Sequence, residues 1–398
     1  MDIVIYPKKL HGDLTAIPSK SHAHRALICA AFSDNATTIV CPETNKDIEA
    51  TVGCLSALGA QITRTNVGYT VSPITKIPAV AELNCNESGS TLRFMLPIVG
   101  ALGVDTTFHL SGRLPERPLS PLWEEMERMG CSLSRNKNGI LRCTGRLKAG
   151  AYSIAGNVSS QFISGLLLAL PLLDGNSSLE ITGNIESKPY IDLTKAVLSS
   201  FGVKTDEENI VAGFPFCSPR EVIVEGDWSN AAFFYVANTL GSDIHITGLN
   251  ENSAQGDRAI LPLLDKLSNA MEIDACDIPD LVPILSVAAA AHNGVTFTNI
   301  ARLRAKESDR VHTVIEMLRA LGVHAQSTEN TLTVYPGQFH SGTVDAVNDH
   351  RIAMSAAIAA TTADGAVSII GSQCVEKSYP AFWEEYRRLG GCYEQYIR

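Results

Sequence analysis

A chain of 398 residues with a net charge of −10 and 45% hydrophobic residues exceeds what one core usually holds and is read as two domains. No apolar run approaches the roughly 20 residues of a membrane span, the opening MDIVIYPKKL has no signal-peptide character, and the acidic balance argues against extended nucleic-acid binding. The 10 Cys are scattered, with no C-x-x-C and no Cys/His ligand spacing, which fits a reduced cytoplasmic protein without structural zinc.

Repetition organises the chain. Strand-like stretches recur at TTIV (37–40), TTFHLSG (106–112), SLEITG (178–183), DIHITG (243–248), VTFTNI (295–300) and VSIIG (367–371). Most are followed by an amphipathic helical stretch ending in Gly, as in LSALGAQI (55–62), MERMGCSL (126–133), LSSFGVKT (198–205), MLRALGVHA (317–325) and YRRLGGCYE (386–394). Gly103 and Gly130 are 27 residues apart, as are Gly175 and Gly202, while Gly294 and Gly322 are 28 apart. That Gly is the expected left-handed residue closing a helix before a strand. In the copy after Gly241, Ser268 takes its place.

A helix apolar on nearly every side precedes each strand: ALICAAF (26–32), TLRFMLPIVGAL (91–102), FISGLLLALPLL (162–173), AAFFYVANTL (231–240), LVPILSVAAAA (281–291) and AMSAAIAATTA (353–363). Such helices must be buried all round. Six copies with a period of about 65 residues, longer than common solenoid units, predict buried helices inside and sheets outside, three copies to a domain.

The segments ahead of these helices are PSKSHAHR (18–25), NESGS (86–90), VSSQ (158–161), EGDWSN (225–230), DIPD (277–280) and NDHR (348–351). Helix N-termini attract anions. Capping is the plainer explanation, and it suffices for EGDWSN, with Asp227 or Ser229 as the cap. It does not account for Lys20, Arg25 and Arg351, which the helix dipole disfavours there unless an anion joins them. RLRAKESDR (302–310) sets four cations among two acids, a local +2. If this stretch begins a helix, Lys306, Asp309 and Arg310 share a face. Small anionic ligands are the expectation.

Eleven segments in order resemble the 5-enolpyruvylshikimate-3-phosphate synthase family. They are PSKSHAHRAL, ESGSTLR, RLPERPL, VSSQF, SKPYID, VEGDWSNAAFF, NSAQGD, IPD, RAKESDR, NDHR and EKSYP, and the resemblance runs from about Lys8 to Tyr386. The resemblance implies a two-domain inside-out α/β barrel built from six βαβαββ units, three per domain. It implies transfer of the enolpyruvyl group of phosphoenolpyruvate to the 5-hydroxyl of shikimate 3-phosphate through a tetrahedral intermediate. No metal or other cofactor takes part. Each substrate phosphate carries roughly −1.5 to −2 charges, which explains a site rich in planar Arg forks.

Carried over residue by residue, the resemblance makes Asp280 the base for the 5-hydroxyl proton and Glu307 the acid for the methylene carbon, with Lys20 beside them. Lys20, Ser21, Arg25, Ser159, Ser160, Gln161, Ser187, Tyr190, Asp280 and Lys306 match the shikimate 3-phosphate side. Lys20, Gly89, Arg117, Gln161, Glu307, Arg310, Arg351 and Lys377 match the phosphoenolpyruvate side. An N-cap role for Asp280 is compatible with its being the base. His350 is read as a neighbour of the site or as a spacer holding Arg351. Three departures stand out: Pro18 directly precedes Ser19, Glu87 brings a carboxylate near an anion turn and is expected to point away from it, and Arg302 falls where some members carry an amide.

The expected division is 1–18 with 226–398, bearing the catalytic acids and the phosphoenolpyruvate side, and 19–225, bearing the shikimate 3-phosphate side. A hinge at Pro18–Lys20 and Glu225–Asp227 would close on the substrates and exclude water. The partners expected are two small-molecule substrates, with no nucleic acid and no membrane, and the chain acting as a monomer. The nearest alternative is the transferase acting on UDP-N-acetylglucosamine, whose loop Cys has no counterpart between Cys85 and Cys131. A non-catalytic anion-binding scaffold would have no use for Asp280 and Glu307.

Overall fold

The computed structural model describes residues 1–136, 138–205, 216–267 and 271–396. The chain divides into two compact units, Met1–Ile17 with Gly226–Arg398, and Pro18–Glu225. Pro18 thus lies in the second unit.

In Pro18–Glu225 the apolar stretches form the helices Lys20–Ala31, Gly89–Leu102 and Ser160–Ala169, buried along nearly their whole length. The last two touch through Gly165, where an added Cβ would stand 2.2 Å from the Arg93 carbonyl oxygen. In the other unit the equivalent helices Trp228–Thr239, Val282–Ala291 and His350–Ala360 pack on one another. Apolar surface on every face leaves these helices no stable place but the interior.

Each buried helix links two parallel strands: 80–86 with 105–110, 151–155 with 178–182, 271–274 with 295–298, and 342–345 with 367–370. In the two remaining copies the first strand comes from across the chain. Glu221–Ile223 pairs with Thr37–Val40 around the Lys20 helix, and His11–Thr15 pairs with Asp243–Thr247 around the Trp228 helix. Strand Asp2–Tyr6 also lies between 367–370 and 392–396. Both chain crossings are therefore built into pairing within a unit. The Asp227 amide donates to the Ile17 carbonyl, and the Ser19 amide to the Glu225 carbonyl, each at 2.8 Å.

Four sheets have four strands; among the described residues the sheets containing 178–182 and 243–247 have two. The outer helices end as the spacing predicts, with Gly130 at φ +114° and Gly322 at φ +83°, backbone that other residues rarely adopt. Ser268 lies outside the described residues. No helix among the described residues is long and apolar enough to cross a membrane.

Candidate functional site

A buried helix that follows the first strand of a parallel pair starts at that strand's carboxyl end, where open α/β sheets collect ligands. Ser19, Ser88, Ser159, Asp227 and Asp349 cap five of the six helices, each accepting from an amide of the first turn. The sixth differs. The helix begins at Val282 and has no side-chain cap, so Asp280 is not the N-cap its position suggests.

Asp280 instead turns to cations of its own unit. Its carboxylate lies 2.5 Å from Arg310 Nη1, 3.3 Å from Arg351 Nη2 and 3.6 Å from Lys306 Nζ. The centre is Arg310, whose side chain is 1% exposed. It also pairs with Glu307 at 2.6 Å and, through Nε, with Asp349 at 2.9 Å. Ser308 Oγ donates to Asp349, and the Asp349 carboxylate accepts the Arg351 amide at 3.0 Å. Lys377 joins at the edge by donating to the Asn348 carbonyl at 2.8 Å. The helix expected over the charged stretch begins only at Arg310. Asp309 is its cap and pairs with Arg304 at 3.6 Å, while Lys306 is extended. Lys306 and Arg310 therefore meet across Asp280 by loop geometry, not on one helical face.

These cations are already paired with carboxylates of their own unit. Lys306, Arg310 and Arg351 face Asp280, Glu307 and Asp349, three charges against three. Burial drives the Lys306 pKa down despite Asp280 beside it. Burial acts the other way on Asp349, yet Arg310 holds its carboxyl below the usual range. Asp257, 2% exposed, receives a hydrogen bond from Ser229. Burial, and then Asp280 nearby, push its carboxyl up to about 7 against the pull of Arg351.

Pro18–Glu225 carries a second cluster. An added Cβ on Gly89 would stand 2.6 Å from Arg117 Nη1 and 2.7 Å from Arg93 Nη1, so two guanidinium groups lie over this turn. Arg93 donates to Gln161 Oε1 at 2.9 Å, and Gln161 Nε2 donates to Ser90 Oγ at 2.8 Å. Ser160 is buried beside Gln161. Lys20 pairs with Asp47 at 2.8 Å. Arg25, 2% exposed, gives its described hydrogen bonds to Thr194 Oγ1, Ser164 Oγ and the carbonyls of Ser21 and Tyr190. It is a strut joining the Lys20 helix to the Lys188–Ser200 helix, with burial pulling its pKa to about 10. The Glu87 side chain leans on Gly112, in the loop that leads to Arg117.

Of six described non-glycine residues with left-handed backbone, four lie in or beside these motifs, Asn86 at φ +48°, Ser187 at +53°, and Val347 and Asn348 at +48° and +54°, while Arg220 and Asn299 lie elsewhere. Such conformations cluster at functional sites. Arg302 donates to the Cys276 carbonyl at 2.9 Å, and His350 is buried between Asp349 and Arg351. Sequence reasoning passed over Arg93, Asp47, Asp257 and Asp349. Arg93 was recoverable, since it stands one helical turn past Gly89 in ESGSTLR. Asp47 carries no signal beyond that of an acid in a first helical turn.

The family model described as EPSP synthase (3-phosphoshikimate 1-carboxyvinyltransferase) matches residues 4–386. A Clostridium acetobutylicum protein named 3-phosphoshikimate 1-carboxyvinyltransferase is 39% identical, covering 98% of this chain and 97% of the relative. One of the same name from Clostridium beijerinckii is 38% identical over 99% of both. Among solved structures, an EPSP synthase from Acinetobacter baumannii aligns at TM-score 0.81 with 24% identity over 100% of both chains. The enolpyruvyl transferase NikO from Streptomyces tendae aligns at 0.75 with 18% identity, covering 99% of this chain and 98% of that one. These two share the fold.

Proposed function

The chain belongs to the EPSP synthase family, and on that premise we propose that each unit supplies one half of the catalytic machinery. The protein transfers the enolpyruvyl group of phosphoenolpyruvate to the 5-hydroxyl of shikimate 3-phosphate and releases phosphate, a step of aromatic amino-acid biosynthesis. The observation that carries the assignment of roles is the convergence of Asp280 and Glu307 on the buried Arg310.

Asp280 accepts the proton of the 5-hydroxyl as its oxygen bonds to C2 of the enolpyruvate. Glu307 gives a proton to C3, which becomes a methyl group. The C2–O bond to phosphate then breaks, Glu307 takes a proton back from C3, and the vinyl ether forms. The proton held by Asp280 leaves with the phosphate. Arg310, Arg351 and Lys377, with Arg117, Gln161 and the Gly89 turn, hold the carboxylate and phosphate of phosphoenolpyruvate. Lys20, Ser21, Ser159, Ser160, Gln161, Ser187, Tyr190 and Lys306 hold shikimate 3-phosphate, and Arg25 braces them. Ligand anions must compete with Asp280 and Glu307 for Lys306, Arg310 and Arg351. One chain carries every residue named, which is compatible with action as a monomer, and the cytoplasm is proposed as its place of work.

Reaction in D₂O tests the proton steps. Because the C3 methyl loses one of three hydrogens, the product methylene should contain deuterium. Glu307→Gln should lose exchange and turnover together. Exchange that survives in that variant would assign the C3 proton to another group.

A further inference from the structure

We infer that a buried chain of side chains headed by His24 positions the Ser88–Gly89 turn against Lys20, making His24, Thr51 and Thr91 positioning residues for the anion held at that turn. The inference rests on the reading of the Gly89 turn as part of the phosphoenolpyruvate half-site.

Three helices contribute residues from their first two turns. His24, 0% exposed, places Nδ1 2.7 Å from Thr51 Oγ1. Thr51 Oγ1 lies 2.8 Å from Thr91 Oγ1. Thr91 Oγ1 reaches Ser88 Oγ at 2.7 Å and the Asp47 carbonyl at 3.3 Å. Ser88 is the cap next to Gly89 and accepts the Thr91 amide. Lys20 and His24 stand four residues apart on one helix, and Asp47 and Thr51 four apart on another. The Lys20–Asp47 ion pair and the His24–Thr51 bond are thus successive rungs between the same two helices. The third helix, which begins at Gly89, hangs from the lower rung through Thr91.

Hydrogen counting fixes the direction of the chain. Thr91 has one hydroxyl hydrogen, which goes to Ser88 Oγ or to the Asp47 carbonyl and is spent in either case. Toward Thr51 it must therefore accept. Thr51 then gives its only hydrogen to Thr91 and must accept from His24. The hydrogen of the neutral ring sits on Nδ1, and Nε2 is a bare acceptor. Nε2 has no hydrogen-bond partner, and the edge-on Phe94 ring is 6.3 Å away. Burial, with Lys20 and Arg25 nearby, keeps the imidazole neutral. A neutral His takes the tautomer its neighbours dictate. Here the dictated tautomer makes His24 the donor that orders two hydroxyls and holds the cap.

The test uses the full chain. Histidine-labelled NMR of the parent should show His24 as the Nδ1–H tautomer. At saturating shikimate 3-phosphate, Thr51→Val should raise the KM for phosphoenolpyruvate roughly 3- to 10-fold, the scale of one lost buried hydrogen bond. The change in kcat should be much smaller, and Thr51→Ser should restore the KM. His24→Asn, which keeps a donor near the Nδ1 place, should lie closer to the parent than His24→Gln. An Nε2–H tautomer overturns the inference, as does a folded Thr51→Val protein whose KM equals that of Thr51→Ser. If Gly89→Ala also leaves the KM unchanged, the half-site itself is misassigned and the inference falls with it; if only Gly89→Ala raises it, the half-site stands and the chain does not.

Discussion

Arg310 shows how much of this site depends on one side chain. Three carboxylates share its guanidinium, which is held far inside the protein. Removing one leaves the others paired, so Asp280→Asn and Glu307→Gln should fold normally. Each should lower turnover by roughly 10²-fold or more, the usual scale of a lost acid or base. Calorimetry should still find shikimate 3-phosphate bound by the Glu307 variant, and near-normal turnover in either variant would remove that residue from the mechanism. Asp257 gives a pH signature. Its folded pKa is raised to about 7 by burial and by Asp280, so between the ordinary carboxylate range and pH 7 the folded state binds the extra proton. Stability then falls as pH rises through that window. Asp257→Asn should flatten that fall, gaining on the parent in melting temperature from pH 5 to pH 8; parallel melting curves would rule this titration out.

At Gly89 a methyl group would press on the ends of Arg117 and Arg93. In this family the phosphonate glyphosate competes with phosphoenolpyruvate, and it is the longer molecule. Gly89→Ala should weaken glyphosate strongly and raise the KM for phosphoenolpyruvate less, by steric exclusion. Equal inhibition constants in parent and variant would displace the inhibitor from this turn. The anion motifs were legible because each sits on a short polar stretch before an apolar run. Their partners were not. Asp47 and Asp349 meet Lys20 and Arg310 only after folding, and an acid near a helix start is indistinguishable in sequence from a cap.

Among the elements, the buried helices were the most legible, because a helix apolar on all sides has one destination. Strand exchange was not legible. His11–Thr15 and Glu221–Ile223 each complete a copy whose helix lies on the far side of a crossing, and no local pattern records a partner more than 180 residues away. Close approach of backbones was equally silent. Gly165 faces the Arg93 carbonyl with no room for a methyl. Gly165→Ala should therefore push the Gly89–Leu102 helix outward at Arg93, lowering stability by about 1–3 kcal/mol and raising the KM for phosphoenolpyruvate. Unaltered stability would mean that the two helices slide without strain. Strand Asp2–Tyr6 gives a contrasting case. Ile5 is fully buried at the centre of its sheet, and Ile5→Ala should cost about 2–5 kcal/mol. Hydrogen exchange should quicken in 367–370 and 392–396 and stay unchanged in Pro18–Glu225. Uniform quickening would mean that the two units unfold as one.

For the whole molecule, two units of the same repeated architecture carry different chemistry. One holds the paired acids around Arg310, and the other holds the Gly89 turn and the serine-capped helices. On the proposed roles neither unit has the full set, so activity is expected only of the intact chain. The most direct measurement is phosphate release by the purified protein given phosphoenolpyruvate and shikimate 3-phosphate, with each omitted in turn and with UDP-N-acetylglucosamine as a substitute acceptor. Stoichiometric release of phosphate only when both substrates are present is the result this account predicts. Release from phosphoenolpyruvate alone or with the sugar nucleotide, or no release with both substrates, would contradict it.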